Sequence, residues 1–207
     1  MTSLSIVVPV LDEAEGIVAT LASLAPLRAR GAELIVVDGG SRDATVARAQ
    51  ALADRVIEGP RGRARQMNAG AAVARAPTLL FLHADTRLPE DADRLIASAL
   101  GVAPLAWGRF DVAIEGHSRM LPVVAAMMNV RSRLSGIATG DQAMFMTRAA
   151  FEQAGGFPDQ PLLEDIELSA RRGRALCAHD LRRRRDVDAT AATLALVMLG
   201  ALLLVET

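Results

Sequence analysis

Apolar residues in this chain come in short unbroken runs, each closed by a carboxylate or a glycine, with stretches of helical spacing between them. Residues 5–10 form the first run, β-branched and ending at Pro9-Val10, ahead of Asp12, Glu13 and Glu15. A run without polar alternation reads as a strand buried on both sheet faces. Over residues 14–27, Ile17, Leu21 and Leu24 recur three and four apart, which predicts a helix, with Gly31 as its stop. Residues 33–37 predict a second strand. The turn Asp38-Gly39-Gly40-Ser41-Arg42-Asp43 leads from it into a helix reaching about Leu52. Residues 55–57 predict a third strand, 59–63 a loop and 64–75 a small-residue helix.

The fourth run, Leu79-Leu80-Phe81-Leu82, ends in His83-Ala84-Asp85-Thr86 and precedes a helix over 91–100. Residues 107–114 and 141–146 read as strands, and 147–154 as a short helix closed by Gly155-Gly156. A loop over 157–161 brings the chain to Glu164-Asp165, at the head of a helix that continues into Arg171 and Arg172. The methionine-rich stretch 120–130 is expected to fill core, with contact to a membrane surface or an apolar ligand as the alternative. Strand and helix alternate with short connections, so the expected fold class is α/β, a mostly parallel sheet flanked by helices with right-handed crossovers.

A chain of 207 residues fits one domain. It is expected to span 1–173, with 174–207 as a tail made of the basic run Arg182 to Arg185 and the uncharged apolar stretch 189–205. That stretch is slightly short for a membrane span, and residues 187–205 are a second candidate for peripheral membrane contact. The net charge of −1 gives no global field for nucleic acid. A single cysteine, Cys177, argues against a disulfide framework or a cysteine-rich zinc site. Met1 leads into the first strand without a secretory pattern, so a cytoplasmic location is expected.

Candidate chemistry sits in the loops after the runs: Asp12-Glu13, Asp38-Gly39-Gly40-Ser41, His83-Ala84-Asp85 and Glu164-Asp165. In a parallel sheet the first three share one edge, where open α/β sheets bind ligands. Acids there, beside Arg61, Arg63 and Arg65, suit a ligand with a nucleoside and a diphosphate that needs a cation and arginines. Asp38 can accept hydrogen bonds from a base or ribose, and Gly39 and Gly40 permit close backbone approach. The plainer readings stay open: Asp85 capping a helix near Pro89, Asp43 capping another, and the arginines as a solvated face. A glycine-rich dinucleotide fingerprint and a Walker-type lysine loop are both absent from the sequence.

Taken in order, Val7-Val8-Pro9-Val10-Leu11-Asp12-Glu13, Val36-Val37-Asp38-Gly39-Gly40-Ser41-Arg42-Asp43, Ala64-Arg65-Gln66-Met67-Asn68-Ala69-Gly70, His83-Ala84-Asp85, Gly155-Gly156-Phe157 and Glu164-Asp165 resemble family 2 glycosyltransferases. The resemblance covers residues 4 to 173 and is strongest to the small bacterial branch assigned to arsenosugar-type biosynthesis. It implies a GT-A fold, a nucleotide-sugar donor (a UDP-sugar favoured), an acceptor hydroxyl, and inverting transfer with Mg²⁺ or Mn²⁺. By position, Pro9, Glu13, Asp38 and Gly39 would line the nucleoside pocket and Arg65 would sit near the base or diphosphate. Asp85 would hold the metal. His83 stands where the family usually has an aspartate against the ribose. Asp165 would be the general base, with Glu164 the competing candidate. Beyond the Glu-Asp pair the family's Gln-x-x-Arg-Trp segment is missing, which keeps open a second reading, a nucleotide-sugar-binding protein with little or no turnover.

Overall fold

The computed structural model describes residues 3–101, 103–160, 163–172 and 176–184. Strand β1 (Leu4–Val10) lies between β2 (Glu33–Asp38) and β4 (Thr78–Phe81), with β3 (Arg55–Glu58) outside β2, and these four are parallel. The sheet continues beyond β4 with β7 (Phe145–Thr147), β6 (Trp107–Glu115), β8 (Leu176–Arg184) and the two-residue β5 (Thr86–Arg87), eight strands in the order β3-β2-β1-β4-β7-β6-β8-β5. β7 runs antiparallel to both β4 and β6, and β8 runs parallel to β6. The α/β fold class with a mostly parallel sheet is as expected.

Unbroken apolar strands need cover on both faces, and the period of two along each strand divides the core accordingly. Ile6, Val8, Leu34, Val36 and Leu80 pack against α1 (Ile17–Ser23), α2 (Ala25–Ala29), α3 (Thr45–Gln50) and α5 (Ala92–Leu100). Val7, Ile35, Val37, Leu79 and Phe81 face α4 (Arg63–Val73), α7 (Arg148–Ala154) and α8 (Glu164–Arg172). Phe81 meets Phe157 edge-on at 4.8 Å and Phe151 at 5.2 Å, which ties the loop before α8 to the strand that ends near His83.

Gly70 sets how closely α4 approaches the sheet. A Cβ there would lie 2.3 Å from a methyl of Val7 and 3.0 Å from one of Val37, both on rigid β-branched side chains. Gly70→Ala is therefore expected to lower stability by about 1–3 kcal/mol in chemical denaturation, despite alanine's better helix propensity.

Three segments depart from the sequence reading. The helix expected over 14–27 is two helices meeting at Leu24, because Pro26 is tolerated in a first turn and not in a helix interior. The strand expected over 141–146 is shorter: Gly140–Gln142 forms a 3₁₀ turn capped by the Gln142 side chain, which accepts from the Thr139 N–H at 3.2 Å, and Ala143, at φ 44°, breaks the extended path before β7. Residues 120–130 belong to α6 (Leu121–Ser135) and are core on one face only. Leu121, Ala125 and Met128 are buried, while Met120, Val123, Met127 and Val130 are exposed.

Strand β8 lies past residue 173 and joins the same sheet, paired with β6 and with β5. Arg185 and the apolar stretch 189–205 lie outside the described residues. Among the described residues no helix is long and apolar enough to cross a membrane.

Candidate active site

Parallel pairing of β1, β2 and β4 brings their carboxyl ends to one edge, and side-chain hydrogen bonds stitch the loops there together. Asp12 has φ 54°, a left-handed conformation that Asp and Asn accept more readily than other non-glycine residues. Its carboxylate accepts from the Arg42 N–H at 2.7 Å, while its own N–H donates to Ser41 Oγ at 2.9 Å. The Glu13 N–H donates to Thr45 Oγ1 and the Ala14 N–H to Asp43. Asp38 is buried within its own turn, accepting from the Gly40 and Ser41 N–H groups and, at 2.5 Å, from the Ser41 hydroxyl. These bonds fix the loop that carries Glu13.

A cleft of about 370 Å³ opens between these loops and the end of β4, lined by Pro9, Glu13, Arg61, Arg63, His83 and Asp85 among others. Gln66 also lines it, a residue whose importance the sequence did not single out. Its buried amide donates to the Val10 and Val37 carbonyls, both at 2.8 Å, and so locks the ends of β1 and β2 together. Gly39 packs on that amide, where a Cβ would come within 3.0 Å. Asp85 cannot cap α5, which starts at Ala92 with Asp91 at its N-cap position. It stays at the cleft wall, accepting a hydrogen bond from Thr86 Oγ1.

Arg65 turns away from this cleft. Its guanidinium makes a two-pronged contact with Asp159 at 2.7 and 2.8 Å, in an adjoining groove shared through Arg61 and Gly62. Both partners are exposed, so the pair contributes little stability. Arg61 and Arg63 are the cations that face the main cleft.

His83 is the wall between the cleft and the acids of α8. On its far side a small cavity is lined by Gly140, Glu164 and Asp165. His83 Nδ1 lies 3.5 Å from Asp141, and Nε2 is buried beside Gly140 without a hydrogen-bond partner. A Cβ at Gly140 would sit 2.4 Å from the imidazole ring, so only glycine fits. The Gly140 N–H donates to Asp165 Oδ2, and the Ile166 N–H donates to Oδ1 at 2.8 Å. Two backbone donors thus orient the Asp165 carboxylate, and the capped turn Gly140–Gln142 supplies one of them. The capping signal Thr139-x-x-Gln142 was present in the sequence, overlapping the start of the segment 141–146 that read as strand. Arg131 of α6 adds positive charge near Asp165 and Asp141, and burial holds its guanidinium below the ordinary value.

Glu164 is buried, and burial pushes its carboxyl above the ordinary value of 4.5, with the neighbouring Asp165 charge acting in the same direction; Arg63, 3.8 Å away, opposes this. The folded state then holds the Glu164 proton more tightly than the unfolded chain. This contribution to stability is complete below pH 4.5 and is lost as pH rises through the folded-state value. Glu164→Gln keeps the neutral form at all pH values, so its melting temperature relative to the parent should rise between pH 5 and pH 8, as scanning calorimetry would record.

The donor set fits a cation shared with a ligand and not an all-protein cage. Among the described residues no group of three His, Cys, Asp or Glu could hold a metal ion. Mg²⁺ characteristically takes one or two carboxylates and completes its shell with phosphate oxygens and water, which matches Asp85 in a cleft that also presents Glu13 and arginines.

The sheet, its acidic carboxyl edge and the cleft between the first and fourth strands define an α/β protein of the GT-A class. The sequence pattern of glycosyl transferase family 2 matches residues 5–151, and the chain belongs to that family. Among solved structures, the mannosyltransferase PcManGT from Pyrobaculum calidifontis, in complex with GDP-Man and Mn²⁺, aligns at 20% identity and a TM-score of 0.68 over 91% of this chain and 58% of its own. S. aureus TarS 1-349 in complex with UDP-GlcNAc aligns at 15% identity and a TM-score of 0.67, covering 91% of this chain and 60% of that one. The chain therefore spans about three fifths of the length of these neighbours. No curated protein matches it.

Proposed function

We propose that the protein transfers a sugar from a nucleotide-sugar donor to an acceptor hydroxyl in a single inverting displacement. The observation that supports this most is the arrangement across His83: a cleft with Glu13, Arg61, Arg63 and Asp85 on one side, and an oriented Asp165 on the other. Pro9, Glu13 and the Asp38-Gly39 turn would bound the nucleoside, with His83 towards the ribose. Arg61 and Arg63 would face the diphosphate, and Arg65 could join them only by leaving Asp159.

Asp85 would hold Mg²⁺ or Mn²⁺, which when bound offsets charge on the departing diphosphate. Asp165 would take the acceptor proton as that oxygen bonds to the anomeric carbon; the bond to phosphate oxygen breaks and the nucleoside diphosphate leaves with its electron pair. Glu164 is the competing candidate for the base; Asp165 is favoured because two backbone N–H groups orient its carboxylate. A UDP-sugar is the favoured donor and a GDP-sugar the runner-up; both nucleotides occur in the structural neighbours. The domain that does this would take in residues 1–173 together with β8, which joins the same sheet.

Incubation with UDP- and GDP-sugars and Mn²⁺ tests the reading through release of nucleoside diphosphate. Release above a no-enzyme control is expected. Tight donor binding with no release would favour the donor-binding alternative, which draws on the missing Arg-Trp segment.

A further inference from the structure

The apolar outer face of helix α6 is covered by none of the described residues. Among the described residues eight large hydrophobic side chains are exposed, and five of them, Met120, Val123, Met127, Val130 and Leu134, fall along this helix. Leu134 is 83% exposed and Met127 58%. Scattered exposed hydrophobics need no explanation, whereas a continuous stripe marks a contact surface. With Pro122 and Ala126, also exposed, the apolar arc covers roughly 160° of the helix at 100° per residue. A two-helix seam with a second copy would use a narrower stripe.

Charge around the face selects its occupant. Residues 116–140 contain neither Asp nor Glu; of their arginines, Arg119 and Arg133 are exposed, Arg133 also pairing with Asp111, while Arg131 turns inward. Arg119 is exposed beside Met120. An apolar helix face flanked by arginines is the pattern of a segment lying in a lipid headgroup layer, where the apolar side chains enter the acyl boundary and the cations meet anionic headgroups.

We propose that the outer face of α6, with the exposed Arg119 and Arg133 beside it, docks on a bilayer surface that carries anionic lipid. The inner face of the same helix holds Arg131 near Asp165 and Asp141, so docking would bring the acceptor side of the proposed site towards the membrane. The docking claim does not depend on the donor or on turnover.

The test is co-sedimentation of the full chain with phosphatidylcholine vesicles, with and without 30% phosphatidylglycerol. The double variant Met127→Glu/Leu134→Glu is compared with the parent, and both positions are exposed enough that the melting temperature should stay the same. The parent should bind the anionic vesicles, more weakly as salt rises, and the double variant should lose about tenfold or more in partitioning. Undiminished binding by the variant would assign the contact to residues 187–205 and overturn the proposal. Equal binding to both vesicle types would also overturn it, as would a lipid-free dimer that the same two substitutions dissociate.

Discussion

Asp165→Asn is expected to lower the rate of sugar transfer by about 10²- to 10⁴-fold, the range for removing a general base, while donor affinity changes by less than about threefold. The separation follows from position. Asp165 lies behind His83, in the small cavity, and does not line the donor cleft. Asparagine keeps one carbonyl oxygen, so one of the two backbone donors from Gly140 and Ile166 loses its acceptor. A modest fall in melting temperature should accompany the lost rate. Glu164→Gln, measured beside it, should retain most of the transfer. If instead Glu164→Gln abolishes transfer and Asp165→Asn does not, the base is Glu164.

Asp85→Ala is expected to remove the cation-dependent part of donor binding. With Mn²⁺ present, the parent's affinity for a nucleoside diphosphate should exceed the variant's by about 100-fold, a difference of roughly 2.7 kcal/mol. Without Mn²⁺ the two proteins should bind alike, because Arg61, Arg63 and the loop around Glu13 are unchanged. Isothermal titration of UDP and GDP, with and without Mn²⁺, measures all four combinations. An equal gain from Mn²⁺ in both proteins would remove Asp85 from the metal site.

The parts of the fold that a local pattern can encode were legible in the sequence. Apolar runs of four to six residues marked β1, β2 and β4, and the carboxylates after them fell at the shared edge that parallel pairing requires. Pairing beyond β4 was not legible. β7 is three residues long and antiparallel, and the segment before it is a capped 3₁₀ turn inside an apolar stretch. Residues 120–130 illustrate a different limit. Their apolar content is the same on both faces of α6, so composition alone could not tell the buried Met128 from the exposed Met127.

The candidate site was legible to the same extent. Glu13, His83 and Asp85 could be placed because each directly follows a buried strand. The partners that shape their surroundings come from distant turns: Gln66 across to Val10 and Val37, Gly140 against His83 and Asp165, and Asp141 against His83. No spacing rule links residues 83, 140 and 165, because only the antiparallel insertion of β7 between β4 and β6 brings them together. Arg65 shows the converse. It stands in a family motif, yet in the folded chain its guanidinium is engaged by Asp159, and the neighbouring Arg61 and Arg63 face the cleft.

The cleft beneath His83 and Asp85 is expected to receive a nucleoside diphosphate with its cation. Thermal unfolding of the full chain with UDP or GDP, each with and without Mn²⁺, tests it most directly. At 100 times the dissociation constant a bound nucleotide adds about 2.7 kcal/mol to the folded state. For a chain of this size the melting temperature should then rise by roughly 5–10 °C with at least one nucleotide in the presence of Mn²⁺. An unchanged melting temperature with every nucleoside diphosphate, with or without the metal, would contradict the account.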